Sequence, residues 1–304
     1  FEIQPFYTRE DQKGFLNNTG HNASRVVNYR RISVTTDTAA NALALKAIEE
    51  GMNGILFEVA PKTSPATLLK NIDLNKITVS FIAETGNMEF ATAYKSYIEQ
   101  LGLDKTKIKG YFDLNFIVKY LTKGQWDKDI FDSLFTLCSL FTEFPEFKTL
   151  VVSGTVYQDV GSNQVQEIAY TLNSLVFLAD ELTKRKLSPA LIFDNLHFNL
   201  GISSAYFIEI AKFRAFKSLL TDIAGKYEVV SGSTQLTGKT SVWSKSVTDA
   251  NTNMLRATTE AMSALLGNAD ALEIDPYDRE FKKYNDFSSR IAGNITPILN
   301  EESY

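Results

Sequence analysis

Short apolar runs alternate with longer amphipathic segments along most of this chain. Gly54–Val59 (GILFEV), Ile77–Ile82, Ile108–Phe112, Leu150–Val152, Ala190–Phe193, Glu228–Val230 and Ala271–Ile274 read as seven buried strands. Between them the apolar positions recur with helical period. Val165, Ile168, Ala169, Leu172, Val176, Ala179 and Leu182 form one stripe, and Tyr206, Ile210, Phe213, Phe216 and Leu220 another. A third runs through Met254, Thr258, Ala261, Met262 and Leu265 and closes at Gly267. The Ala/Leu-rich segment 39–50 is helical by propensity and ends at Gly51. Asn163, with Gln166 three residues on, offers a capping box for the helix that follows the strand at Leu150.

Strand and helix in regular alternation mean repeated βα units and a parallel sheet. The strands are short and similarly apolar, which favours an α/β fold of the (β/α)8 TIM-barrel type over an open sheet. The seven runs leave one strand to find. Residues 1–36 lack helical period and carry Pro5, the Asn17–Gly20 turn cluster and Arg30-Arg31, so they read as an N-terminal extended arm, with the barrel over 37–304. The final helix runs almost to Tyr304, which places the eighth strand beyond the chain end rather than in Val26–Val34.

At 304 residues the chain is long enough for one large barrel, which typically takes ~250. A net charge of −5 argues against general nucleic-acid binding. Cys138 is the sole cysteine and sits in an apolar helix, as a core residue would; with no internal disulfide available, a reducing, cytoplasmic setting fits. His21 and His197 are the only histidines, which leaves little material for histidine metal sites or triads.

Several residues invite a chemical reading beside a plainer one. Gly232–Thr240 (GSTQLTGKT) ends like a phosphate loop, but its span from Gly232 to Gly238 is one residue too long, and a plain loop is the simpler reading. His197, just past the Ala190–Phe193 run, has the position of a ligand or acid–base group, or of a buried histidine bonded to backbone. Lys239 has the position of a Schiff-base lysine, or of an exposed loop lysine. Glu209 and Lys212 read as a solvated ion pair on a helix face.

Longer blocks carry a resemblance. AYFIEIAKFRAFKSLL (Ala205–Leu220) is similar to FxxEIAKxRAxRxLW, and TSVWSKSVTDANTNMLRATTEAMSALLG (Thr240–Gly267) to TSGWSLTxxDPYNNxxRTTxEAMAAxxGG. SGTVYQDVGSNQVQEIAYTL (Ser153–Leu172) matches SGYHMQEAGATxxxExAYTL; PFYTRED (Pro5–Asp11) and RIAGN…LNEES (Arg290–Ser303) match an arm and a last-helix segment. On these blocks the chain resembles the methylmalonyl-CoA mutase family. The resemblance implies a CoA-ester-binding (β/α)8 barrel, with the pantetheine tail threading an axis lined by small polar side chains. A separate cobalamin-binding domain follows the barrel in that family, which rearranges methylmalonyl-CoA and succinyl-CoA with adenosylcobalamin.

The departures fall on the family's site positions. Its Tyr-His pair, whose imidazole bonds the thioester oxygen, is Thr155 and Val156 here; valine offers no hydrogen bond. Its carboxylate-clamping arginine aligns near Lys123, its strand glutamine with Asp113, and the histidine and glutamine of HCQTSGW with Thr237 and Lys239. Neither His21 nor His197 lies two residues after an aspartate, so the cobalt-binding D-x-H-x-x-G motif is missing and no cobalamin-binding domain is expected in this chain. Together these imply the family's small, non-catalytic subunit type: a barrel that binds no cofactor itself and pairs as a heterodimer with a large catalytic subunit, which carries the adenosylcobalamin. The alternatives are an active acyl-CoA mutase with another substrate, or an unrelated barrel lyase or aldolase using Lys239 or Asp194. Phe57, Phe81, Phe112 and Phe193 are candidates for closing the axis if they point inward.

Overall fold

A computed structural model describes residues 26–83, 88–127, 129–230, 234–280, 282 and 285–302. Most of the proposed arm, residues 1–25, lies outside them, with His21.

Nine strands, all paired in parallel, run in the order β5-β4-β3-β2-β1-β9-β8-β7-β6. They are β1 (Val27–Ser33), β2 (Gly54–Val59), β3 (Thr78–Ala83), β4 (Gly110–Asp113), β5 (Phe147–Lys148), β6 (Leu150–Ser153), β7 (Leu196–Ile202), β8 (Gln235–Thr240) and β9 (Ala271–Glu273). The two ends of this order, β5 and β6, are separated only by Thr149. That single run bonds to β4 at one end and to β7 at the other, so the sheet curls into a barrel of eight staves.

The helices are α1 (Asp37–Glu49), α2 (Pro65–Leu68), α3 (Met88–Gln100), α4 (Phe116–Lys123), α5 (Ile130–Leu140), α6 (Thr155–Asp159), α7 (Gln164–Lys184), α8 (Pro189–Asp194), α9 (Tyr206–Lys226), α10 (Ala250–Leu266) and α11 (Asp286–Glu301). Asn163 caps α7 in the full reciprocal box with Gln166. Cys138 is buried on α5, and burial pushes its thiol up to about 11.

Three expectations are corrected. The eighth stave is β1, which pairs with β2 and β9; no strand after Tyr304 is needed, and 27–33 belong to the barrel rather than to an arm. Ala190–Phe193 is helical: Ser188 accepts from the Leu191 N–H and Pro189 opens α8, while the strand follows at Leu196. Glu228–Val230 is a loop, Glu228 at φ 60° and Val230 exposed; the strand is Gln235–Thr240, the tail of the phosphate-loop look-alike.

Alternation along each stave separates two apolar sets. Ile55, Phe57, Val79, Phe81 and Phe112 belong to the main core between sheet and helices, where Phe81 packs edge-on to Phe90 and Tyr94 of α3. A second, separate cluster gathers Tyr29, Leu56, Tyr111, Val151 and Ala271, with Val27 and Ile82 against it. Residues from so many staves meet only on the barrel axis.

Candidate functional site

Parallel barrels place chemistry at the carboxyl ends of their strands, so the inward positions there define the candidate site. The period of two sorts them into layers. The lower layer is the axial cluster plus His197 of β7 and Thr237 of β8. The Tyr111 ring lies 3.9 Å from the His197 ring, centroid to centroid, and 5.7 Å from that of Tyr29. Tyr29 Oη is 2.9 Å from Ser80 Oγ, which accepts the Tyr111 N–H, so both tyrosines are fixed by one serine. His197 Nε2 lies 3.1 Å from Asn199 Oδ1 and 3.0 Å from Thr237 Oγ1. Burial holds its imidazole down to about 3, so it is neutral and enclosed. Its partners are side chains, not the backbone groups expected.

Two residues further along seven of the eight staves the axis carries polar groups: Tyr29 gives way to Arg31, Leu56 to Glu58, Tyr111 to Asp113, Val151 to Ser153, His197 to Asn199, Thr237 to Lys239 and Ala271 to Glu273, while on β3 Ser80 gives way to Ile82. Apart from Asp113, these groups pair with one another. Arg31 reaches Glu58 at 3.0 Å and Glu273 at 2.6 Å, and Lys239 Nζ lies 3.6 Å from Glu273. Asn199 donates to Ser153 at 3.0 Å. Burial alone would raise the Glu273 carboxyl, but Arg31 and Lys239 outweigh it and hold it down to about 2. Asp113 has weaker help: burial pushes it up to about 6 against the Asn115 N–H, Arg31 and Lys119. Arg31, Glu58, Glu273, Asp275 and Arg279 also line a cavity of about 200 Å³ at the rim, where Arg279 pairs with Asp275.

The structure thus brings Asp113, Thr237 and Lys239 together inside the barrel. Lys239 is a strand residue inside it, mostly buried, not an exposed loop lysine. Thr155 and Val156 open α6 at the rim, with Val156 packed against the outer core. Lys123 lies apart, half-exposed on α4 and paired with Asp127 at 3.0 Å. Phe57, Phe81 and Phe112 face the helices, and Phe193 sits on α8 in the same outer core, so none of the four closes the axis. Tyr29 and Tyr111 do. Period-two reading would have found them, because an outward Phe112 places Tyr111 inward.

Another correction concerns Glu209 and Lys212, which are fully buried rather than solvated. Lys212 Nζ contacts Glu209 at 2.6 Å, Glu167 at 2.7 Å and the Gly201 carbonyl at 2.6 Å. The blocks that matched the family pattern build this scaffold. Gly154 is part of it, since a Cβ there would lie 2.3 Å from Thr171 Oγ1.

The fold and its axial site define a (β/α)8 barrel with a filled axis and a self-neutralised rim. The family model described as methylmalonyl-CoA mutase matches residues 44–304, and the chain belongs to that family. It is 31% identical, over its whole length and 53% of the relative's, to the "Methylmalonyl-CoA mutase small subunit" of Porphyromonas gingivalis. It is 28% identical over 78% of its length to the "Methylmalonyl-CoA mutase" of Escherichia coli, covering 34% of that protein. A third relative, 25% identical over 84% of the chain and 46% of its own length, is the "2-hydroxyisobutanoyl-CoA mutase large subunit" of Aquincola tertiaricarbonis. The chain spans about half the length of the first of these relatives and less of the others. Among the described residues no helix is long and apolar enough to cross a membrane, and no group of three or more His, Cys, Asp or Glu could hold a metal ion.

Proposed function

We propose that this chain is the barrel of a small, non-catalytic subunit, which pairs with and supports a large catalytic subunit in an adenosylcobalamin-dependent, cytoplasmic mutase acting on methylmalonyl-CoA and succinyl-CoA. The observation that carries this reading is the filled axis. A pantetheine tail threading the barrel, as the family resemblance implies, would have to displace Tyr29, Tyr111 and Leu56, each 3% exposed or less.

The rim supports the same reading. Around the rim cavity Glu58, Glu273, Asp275 and Asp278 balance Arg30, Arg31, Arg279 and Lys282, and Arg31 and Lys239 are engaged with Glu273. A substrate carboxylate would therefore compete with Glu58 and Glu273 for Arg31 and with Asp275 for Arg279. Where the family pattern has its imidazole this chain has Val156, which turns into the outer core and offers a thioester oxygen no hydrogen bond; loss of one such donor costs ~10²–10³ in rate. The residues described do not fit a cobalamin: His197 is enclosed beneath Tyr111, its Nε2 engaged by Asn199 and Thr237, and cannot reach an external cobalt. The alternative of an active acyl-CoA mutase with another substrate draws on the relative named for 2-hydroxyisobutanoyl-CoA, but the filled axis weighs against it for any CoA ester.

Size-exclusion chromatography of the full-length subunit with its large homologue tests the reading. A one-to-one complex stable at micromolar concentration is expected, since specific pairing buries at least ~1,200 Å². Separate elution, with the large chain fully active alone, would sink it.

A further inference from the structure

The outer side of α10 is uncharged where a surface helix ordinarily carries charge. Its buried positions are small or polar: Asn253, Ala257, Glu260, Ala261, Ser263 and Ala264. Its larger apolar side chains are turned out instead. Leu255 is 72% exposed, Thr259 and Leu266 are exposed on the same side, and Met254, Met262 and Leu265, which helical period assigns to a core, are half-buried. The helix has two charged residues, and both are engaged. Glu260 is buried against Lys245 at 2.6 Å, and Arg256 donates to the Ser244 carbonyl at 2.6 Å. Across the barrel, α3 shows the ordinary pattern, burying Phe90, Tyr94 and Ile98 and exposing Glu89 and Glu99.

α10 packs between α9 and α11, and both continue its face. On α9, Phe207 is 80% exposed at the first turn and Leu219 is exposed near the other end, with the exposed Ala211 and Ala215 between them. Two neighbouring cations are tied down, Arg214 to the Leu266 carbonyl at 2.8 Å and Lys217 to Asp270 at 3.2 Å. On α11, Phe287 is 58% exposed, and Asn294 and Ile298 follow it along the helix. That helix also exposes Arg290 and Glu301, while Asp286 turns to Lys46 of α1 at 2.7 Å.

At 1.5 Å per residue and ~10 Å per helix, three helices around the 17-residue α10 make a face of about 25 Å by 30 Å, or ~750 Å². Each partner in a standard interface contributes ~800 Å², and permanent interfaces are the apolar ones. We propose that the α9–α10–α11 face is where the large catalytic subunit docks, an inference that rests on the pairing proposed above. The turned-out leucines of α10 stand at its centre, where interface energy concentrates.

The test mixes the full-length small subunit with its large homologue and compares the double variant Leu255→Glu, Leu266→Glu with the control Leu101→Glu. Leu101, at the end of α3 on the opposite side of the barrel, is also exposed. All three positions face solvent in the chain alone, so each variant should keep the wild-type urea midpoint. The double variant should weaken the complex at least ~30-fold in Kd, the loss of one interface hot spot, and L101E should leave it unchanged. Amide hydrogen exchange of the unaltered pair gives a readout independent of the variants: protection on mixing should fall on 206–226, 250–266 and 286–301. If the double variant pairs as tightly as the wild type, or protection falls elsewhere, the face is overturned and the pairing stands. If the wild-type chains do not associate, both are overturned. A small subunit that dimerises with itself through this face in the presence of the large one would assign it to a second copy and overturn the proposal.

Discussion

Replacing Tyr111 with alanine probes the filling of the axis. Tyr111 is 1% exposed, lies edge-on to Tyr29 and stacks on His197. Removing a buried aromatic ring of similar size costs ~3–5 kcal/mol, through lost transfer energy and the cavity left behind. Each aromatic contact adds ~0.5–1.5 kcal/mol to what burial alone gives. The staves around the ring are held by backbone ladders, so little collapse should offset the loss, and the upper half of that range is expected. A domain of ordinary stability, ~5–15 kcal/mol, should still fold. Urea denaturation followed by far-UV circular dichroism reads the difference directly, provided the slope with denaturant stays unchanged. A loss below ~1 kcal/mol would refute the reasoning, because a ring that fills the axis cannot be removed so cheaply.

Two further outcomes follow from the same geometry. Gly110 has φ 141°, and a Cβ there would lie 1.9 Å from the Val79 carbonyl oxygen, so Gly110→Ala should cost at least ~3 kcal/mol by overpacking and strain; an unchanged urea midpoint would mean that β4 starts differently. His197, neutral in the fold with its pKa held down to about 3, is protonated near ~6.5 once unfolded, so the wild type should lose stability as pH falls from ~6.5 towards 3, by on the order of 5 kcal/mol at most. His197→Gln should flatten that part of the acid-unfolding curve, and an identical slope would show that the imidazole protonates within the fold.

The barrel was legible where its staves are apolar on the outer face. Gly54–Val59, Ile77–Ile82, Ile108–Phe112, Leu150–Val152 and Ala271–Ile274 all fall on observed strands. The others were hidden for separate reasons. β1 (VNYRRIS) carries Arg30-Arg31, which read as a solvated arm; yet Arg30 is buried and Arg31 turns into the axis to meet Glu58 and Glu273. β8 (QLTGKT) has no apolar run because Thr237 and Lys239 belong to the polar axis. The Ala190–Phe193 run was ambiguous by period, since a short apolar stretch fits a strand or a buried helix turn; the Ser188-Pro189 start was the signal that decides it. Of the site, Asp113, Thr237 and Lys239 were found through the family pattern. Arg31, Glu58 and Glu273 were not, because their meaning lies in pairing across strands far apart in sequence.

The measurement that bears most directly on the proposal of a closed, non-catalytic barrel is calorimetric titration of the isolated chain with methylmalonyl-CoA and with free CoA. With Tyr29, Leu56 and Tyr111 on the axis and Glu58, Asp113 and Glu273 above them, neither should bind saturably. One-to-one binding with Kd below ~100 µM, equivalent to more than ~5 kcal/mol, would show that a CoA ester enters despite the filled axis, and would contradict the account.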